Sequence, residues 1–272
     1  EMAFCDWSSD VCSSDLITWG DVTKPPLVLI HGNAACGEWW RFIAPFLAED
    51  YYVIAPDLAG MGDSSHTGRY ERERYAQQVV TVAQTLAPGR KPLLVGHSLG
   101  GMVAILAGNA YVEQLAGIIV VDWPPQEPEL KDPSPFDLAN PQPRIYPDRD
   151  SALARFKVVP KQDVNCAFYL QHIAQHSIKA EDGGWRWKFD PAALSQRRKP
   201  SFVSDLLAMR CPAALMWGAL TARFDDSVRR LCREKFTGIL PMTEIPNSRH
   251  HVMLDEPLAL VTALRTQLAN WR

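Results

Sequence analysis

The chain has 272 residues, 47% of them hydrophobic, enough to bury a full core in one domain of the larger α/β kind. Its formal charge of −3 argues against the basic surface a nucleic-acid partner requires, and no apolar run approaches the ~20 residues of a bilayer span. The expected partner is therefore a small-molecule substrate, with no nucleic acid and no membrane; the sequence says nothing of oligomeric state.

Residues 1–16, EMAFCDWSSDVCSSDL, show neither periodicity nor helix caps. They resemble a translated sequencing-adapter read fused to a gene, so they are set aside as non-native before the fold is read. The four remaining cysteines, Cys36, Cys166, Cys211 and Cys232, lack metal-ligand spacing. They read as reduced thiols in a cytoplasmic setting.

From Ile17 onward, short β-rich runs alternate with longer amphipathic ones. That is the pattern of a mostly parallel sheet with helices on both faces. Ile17–Trp19 reads as the remnant of an antiparallel hairpin. The runs Leu27–Ile30, Tyr52–Ala55, Leu93–Val95, Ile118–Val121 and Ala213–Trp217 are apolar throughout, as central parallel strands are, and Met242–Ile245 is read as a further strand. Helices are predicted over Glu38–Ala48, with Pro45 a kink, and over Glu71–Leu86, Leu99–Ala110, Ser227–Phe236 and Pro257–Trp271. Leu99–Ala110 is apolar nearly all round, which suits burial beneath the sheet.

Residues 123–208 interrupt the alternation. Trp123–Pro147 contains eight prolines and predicts a stiff irregular crossing. One or two helices follow within Ser151–Lys179, then Asp182-Gly183-Gly184 and the aromatics Trp185 and Trp187. The segment is read as an inserted cap or lid on a core made of 17–122 and 209–272.

The strongest chemical signal is Gly96-His97-Ser98-Leu99-Gly100, a G-x-S-x-G placed directly after a strand and before a helix. Such a turn forces the serine into a strained backbone and lifts its hydroxyl above the strand ends, which makes Ser98 the candidate nucleophile. A tetrahedral intermediate then needs fixed N–H donors. The Leu99 amide, at the positive end of a helix, and the Asn33 amide, in the loop His31-Gly32-Asn33, are the candidate oxyanion hole. His31 itself reads as structural. His97 and Trp123 are candidate pocket residues, whereas Trp39, Trp40, Trp185 and Trp187 read as core. His172 and His176 are spaced i, i+4 but lack a third ligand, so no metal and no cofactor is expected.

With these motifs and the glycine-rich loop Pro56-Asp57-Leu58-Ala59-Gly60-Met61-Gly62-Asp63-Ser64, where Asp57 reads as structural, the chain resembles the α/β-hydrolase fold family from Ile17 to its end. Members carry a loop histidine five positions before an acid that opens the last helix. Counting back from Asp255 selects His250 as general base over its neighbour His251. Members usually carry the triad acid just after the strand that here ends at Trp217-Gly218, yet alanine stands at position 219. The resemblance therefore leaves two places. Some members carry the acid one strand earlier, which selects Asp122, and Asp225 is the alternative, with Asp226 beside it. Gly117-Ile118-Ile119-Val120-Val121-Asp122-Trp123 also resembles the cofactor-free quinolone dioxygenases, whose elbow reads His-Ser-His where this chain has His97-Ser98-Leu99.

Together these readings imply an esterase- or lactonase-like serine hydrolase with the triad Ser98, Asp122 and His250. A carbon–carbon hydrolase, a ring-cleaving dioxygenase and a non-enzymatic ligand receptor are the competing functions on the same fold.

Overall fold

The computed structural model describes residues 14–125, 142–164, 166–194 and 202–271. Nine strands are assigned among them: β1 (Leu16–Trp19), β2 (Pro26–Ile30), β3 (Tyr52–Pro56), β4 (Leu93–His97), β5 (Gly117–Val121), β6 (Ile178–Glu181), β7 (Gly184–Trp187), β8 (Ala213–Gly218) and β9 (Met242–Ile245). Seven of them form one sheet in the order β1-β3-β2-β4-β5-β8-β9. Only β1 runs antiparallel, pairing with β3 rather than with its sequence neighbour β2. The strand begins at Leu16, and Asp57 N–H donates to the Asp15 carbonyl at 2.8 Å. Gln78 Nε2 reaches Ser14 Oγ at 2.7 Å.

The predicted parallel runs are all strands, and the reason is visible in their packing. All but the edge strand β9 are buried on both faces, so alternation along them divides two cores. Val28, Ile30, Leu94, Ile118, Val120 and Leu215 face one, together with helices α2 (Arg72–Leu86) and α3 (Leu99–Ala110). Leu27, Leu29, Val95, Ile119, Val121 and Met216 face the other, with the C-terminal helix Pro257–Ala269.

One predicted helix is not continuous. Glu38–Ala48 resolves into a 3₁₀ turn, Gly37–Trp40, and one helical turn, Ala44–Leu47, with Pro45 in its first turn. Proline lacks the N–H of an interior helical residue and its ring crowds the carbonyl four residues back, so a helix can begin at Pro45 but not run through it.

Between β5 and β8 the described part of the insertion holds helices Arg149–Leu153, Ala167–His176 and Val203–Leu207, and the hairpin β6–β7. The hairpin turns at Asp182-Gly183, a turn dipeptide, with Gly183 at φ 85°. The insertion docks on the core at several places, two of them on opposite sides. Phe42 stacks on Tyr169 at 4.0 Å and His172 Nε2 lies 2.8 Å from Glu38 Oε2. On the other side Asp190 N–H donates to the Gly60 carbonyl at 2.7 Å, and Lys188 pairs with Asp63.

Candidate active site

The sheet order reverses between β2 and β4. Ligands of open parallel sheets bind outside the carboxyl ends of the strands at such a point. Ser98 stands there, between β4 and α3, with φ 52° and ψ −120°. A left-handed backbone costs a non-glycine residue on the order of 1–3 kcal/mol, and close packing holds it. A Cβ on Gly96 would lie 2.0 Å from the Gly100 carbonyl oxygen, and one on Gly100 2.3 Å from that of Ile30. Without side chains at either position, the turn closes directly against β2 and α3.

Ser98 Oγ lies 3.1 Å from His250 Nε2, and His250 Nδ1 lies 2.8 Å from Asp122 Oδ1. With Nδ1–H donating to the carboxylate, Nε2 carries the lone pair that can take the serine proton. Asp122 caps β5 at φ 50° and is wholly buried. Its Oδ2 accepts from Gly218 N–H at 3.0 Å and its Oδ1 from the Thr221 hydroxyl, also at 3.0 Å. Both donors belong to the β8 loop, where family resemblance looks first for an acid. Burial raises the Asp122 carboxyl above the usual aspartate range, while Gly218 N–H, the neighbouring His97 and Thr221 pull it back.

Asp225 does something else. It is the N-cap of helix α7 (Asp226–Phe236), and its Oδ1 accepts from Ser227 and Val228 N–H groups at 3.0 Å each. Asp226 is the exposed first residue of that helix.

The loop bearing His250 is fastened on both sides. Arg249 N–H donates to Asp255 Oδ2 at 2.7 Å, and His97 Nε2–H donates to the His250 carbonyl at 2.8 Å. Asp255 closes a short helical turn, Val252–Asp255, just before the last helix. Burial and then the charge of Arg223 push the His250 imidazole well below its ordinary value. Burial does the same to His97, which stays neutral and serves as a donor. His31 is held between two loops, its Nδ1–H donating to the Gly32 carbonyl at 2.7 Å and its Nε2 accepting from Leu58 N–H at 2.9 Å. Asp57 accepts from Gly37 N–H at 2.6 Å and Asp63 N–H at 2.8 Å, tying two loops together.

A cavity of about 390 Å³ opens above Ser98, within the ~300–1,000 Å³ range of small-molecule pockets. Asn33, Leu99, His97 and Trp123 line it, so the proposed oxyanion donors, the nucleophile and His250 share one space. Trp39 and Trp187, read from sequence as core, line it too, whereas Trp40 is fully buried in the core beside β3. His251 also reaches this cavity and packs 5.2 Å from the Trp39 ring. From the insertion come residues 155–159, Trp187 and Phe189.

Four contacts lie beyond what the sequence shows: Thr221 and Gly218 on Asp122, His97 on the His250 carbonyl, and Gln162 Oε1 on His251 N–H at 2.9 Å. The alanine at 219 hinted at the first by vacating the usual acid position. Nothing in the sequence marks Gln162.

His172 and His176 do meet a third group, Glu38. Arg41 pairs with that carboxylate through Nε and through Nη2, the latter at 2.7 Å, so the cluster reads as a tie between insertion and core. Among the described residues, no helix is long and apolar enough to cross a membrane.

A family model described as the alpha/beta hydrolase family matches residues 27–264. Esterase Rv0045c of Mycobacterium tuberculosis is 24% identical over 92% of this chain and 84% of its own length. The 2-succinyl-6-hydroxy-2,4-cyclohexadiene-1-carboxylate synthase of Serratia proteamaculans is 26% identical over 95% of this chain and 98% of its own. Among solved structures, E-2-(acetamidomethylene)succinate hydrolase superposes with a TM-score of 0.82 at 20% identity, covering 99% of this chain and 100% of that one.

Proposed function

Since the chain belongs to the alpha/beta hydrolase family, we propose that it is a serine hydrolase cleaving a small to medium carboxylic ester or lactone. One observation carries the reading: an unbroken hydrogen-bond chain from Ser98 through His250 to Asp122, under a cavity of substrate size. The esterase name of the Mycobacterium tuberculosis relative supports the bond type.

In this mechanism Ser98 Oγ attacks the ester carbonyl while His250 Nε2 takes its proton. The Leu99 and Asn33 amides receive the developing oxyanion. His250 then returns the proton to the departing alcohol, leaving an acyl-serine. Water, deprotonated by His250, attacks that acyl group and restores Ser98. Asp122 stays ionised, orients the imidazole and offsets its charge. No cofactor takes part, and residues 123–208 act as a cap over the acyl or alcohol group.

The test is release of p-nitrophenol from acetate and butyrate esters by the parent and by Ser98→Ala, with matched thermal melts. Turnover that disappears in a folded Ser98→Ala is the expected result. A folded parent without Ser98-dependent turnover overturns the ester reading.

A further inference from the structure

The charges lining the cavity are of one sign. Arg72 from the start of α2, Arg155 and Lys157 from the insertion, and Arg223 from the β8 loop all line it. Among the described residues, no aspartate or glutamate does. This is not the chain's average, since acids outnumber bases, 31 to 28. The four cations come from three separate segments, so no local run of basic sequence accounts for them.

Their placement differs in depth. Arg155 and Lys157 are exposed, and neither makes an ion pair among the described residues. Arg72 and Arg223 are half-buried. Arg223 lies close enough to the reacting groups for its charge to act on Asp122, His97, His250 and His251. The three histidines are held neutral by burial and add no charge of their own. Apolar side chains, among them Met102, Trp123, Phe156 and Phe189, form the remaining wall. A cavity with one apolar wall and a set of cations fits a ligand with an apolar body and an anionic end.

We propose that the substrate cleaved at Ser98 carries an anionic group, a carboxylate or a phosphate, held by Arg223 with Arg155, Lys157 and Arg72 around it. The inference rests on the hydrolase reading and narrows it to esters of amphipathic acids or alcohols. A guanidinium presents paired donors to either oxyanion, while the lysine adds a point charge. The β8 loop thereby has a second use: it steadies Asp122 through Gly218 and Thr221, and two residues on it supplies the specificity cation.

Two matched ester pairs test this and locate the anion. Monomethyl adipate against methyl heptanoate places it on the acyl side. Potassium 4-acetoxybenzoate against 4-methylphenyl acetate places it on the leaving group. The expected result is a kcat/KM preference of about tenfold or more for the charged member of at least one pair. That preference shrinks as salt is raised, and it collapses in Arg223→Gln and Arg155→Gln. Because the ratio is read within each variant, a general loss of activity does not imitate the effect. Ser98-dependent turnover with no such preference, or with one that neither variant moves, overturns the proposal.

A binding arm separates this failure from failure of the hydrolase reading. Adipate and inorganic phosphate are titrated calorimetrically into Ser98→Ala and into Ser98→Ala with Arg223→Gln. Saturable binding that the second substitution removes supports the anion site even if no tested ester turns over, and the tighter ligand names the oxyanion. Absence of saturable binding by either anion in Ser98→Ala overturns it.

Discussion

The ends of β5 and β8 lie side by side in one parallel sheet, Val121 opposite Met216, yet they do opposite electrostatic work. The β5 end turns abruptly at a residue with φ 50° and buries a carboxylate against His250. The β8 end offers that carboxylate an amide and a hydroxyl, places a guanidinium in the cavity, and keeps its own nearest aspartate, Asp225, busy capping a helix. A triad acid must sit within hydrogen-bond reach of the base, but which of two adjacent strands delivers it is open. Once one strand does, a second carboxylate at the same spot would repel the first. The neighbouring strand is then free to supply donors and positive charge.

The sharpest way to break this comparison is to exchange the roles of the two aspartates. Asp122→Asn keeps the shape of the site but leaves no anion to hold His250 in the required tautomer. Its kcat/KM on p-nitrophenyl butyrate should fall on the order of 10³–10⁴-fold. If Asp122→Asn retains near-parental activity and Asp225→Ala does not, the assignment is reversed.

A smaller effect follows from Arg223. Protonated His250 cannot accept the serine proton, so activity falls as pH drops through its pKa. Burial and Arg223 both lower that pKa, so the acid limb of the kcat/KM profile should lie below the ordinary imidazole value of about 6.5. Arg223→Gln removes one of the two causes and should shift the limb upward. A limb that does not move, in a variant with an unchanged melt, separates Arg223 from the catalytic centre.

Asp225→Ala should do least. Losing the cap of α7 should cost about 1 kcal/mol of stability by denaturant melt and leave kcat/KM within about twofold. A greater loss of activity at neutral pH would mean the β8 side contributes more than donors and charge.

Much of the fold was legible because β2, β3, β4, β5 and β8 are buried on both faces, and continuous apolar runs follow from that burial. Leu99–Ala110 and Met242–Ile245 have the boundaries their patterns predicted. The elbow was legible for a steric reason, since only glycine fits at positions 96 and 100. Other features were not. Pro45 marked a break that was read as a kink, because apolar spacing across Glu38–Ala48 continues on both sides of it. Trp187 lines the cavity where core is expected, and Trp39 is core and cavity wall at once, because an aromatic wall of a cavity and an aromatic in a core share the same local pattern. The strand containing Leu16 takes in one residue of a segment with no pattern of its own, since backbone groups pair whatever side chains they carry.

By itself the sequence determined the strained turn at Ser98 and the alternation that gives the fold class, both written in local pattern, and the family resemblance added the spacing that points to His250. Only the tertiary structure brings Asp122 rather than Asp225 against His250, through a 2.8 Å contact between residues 128 positions apart. The same holds for the charge of the cavity. Arg72, Arg155, Lys157 and Arg223 share no sequence neighbourhood, and charge adds up by distance in space rather than by order in the chain.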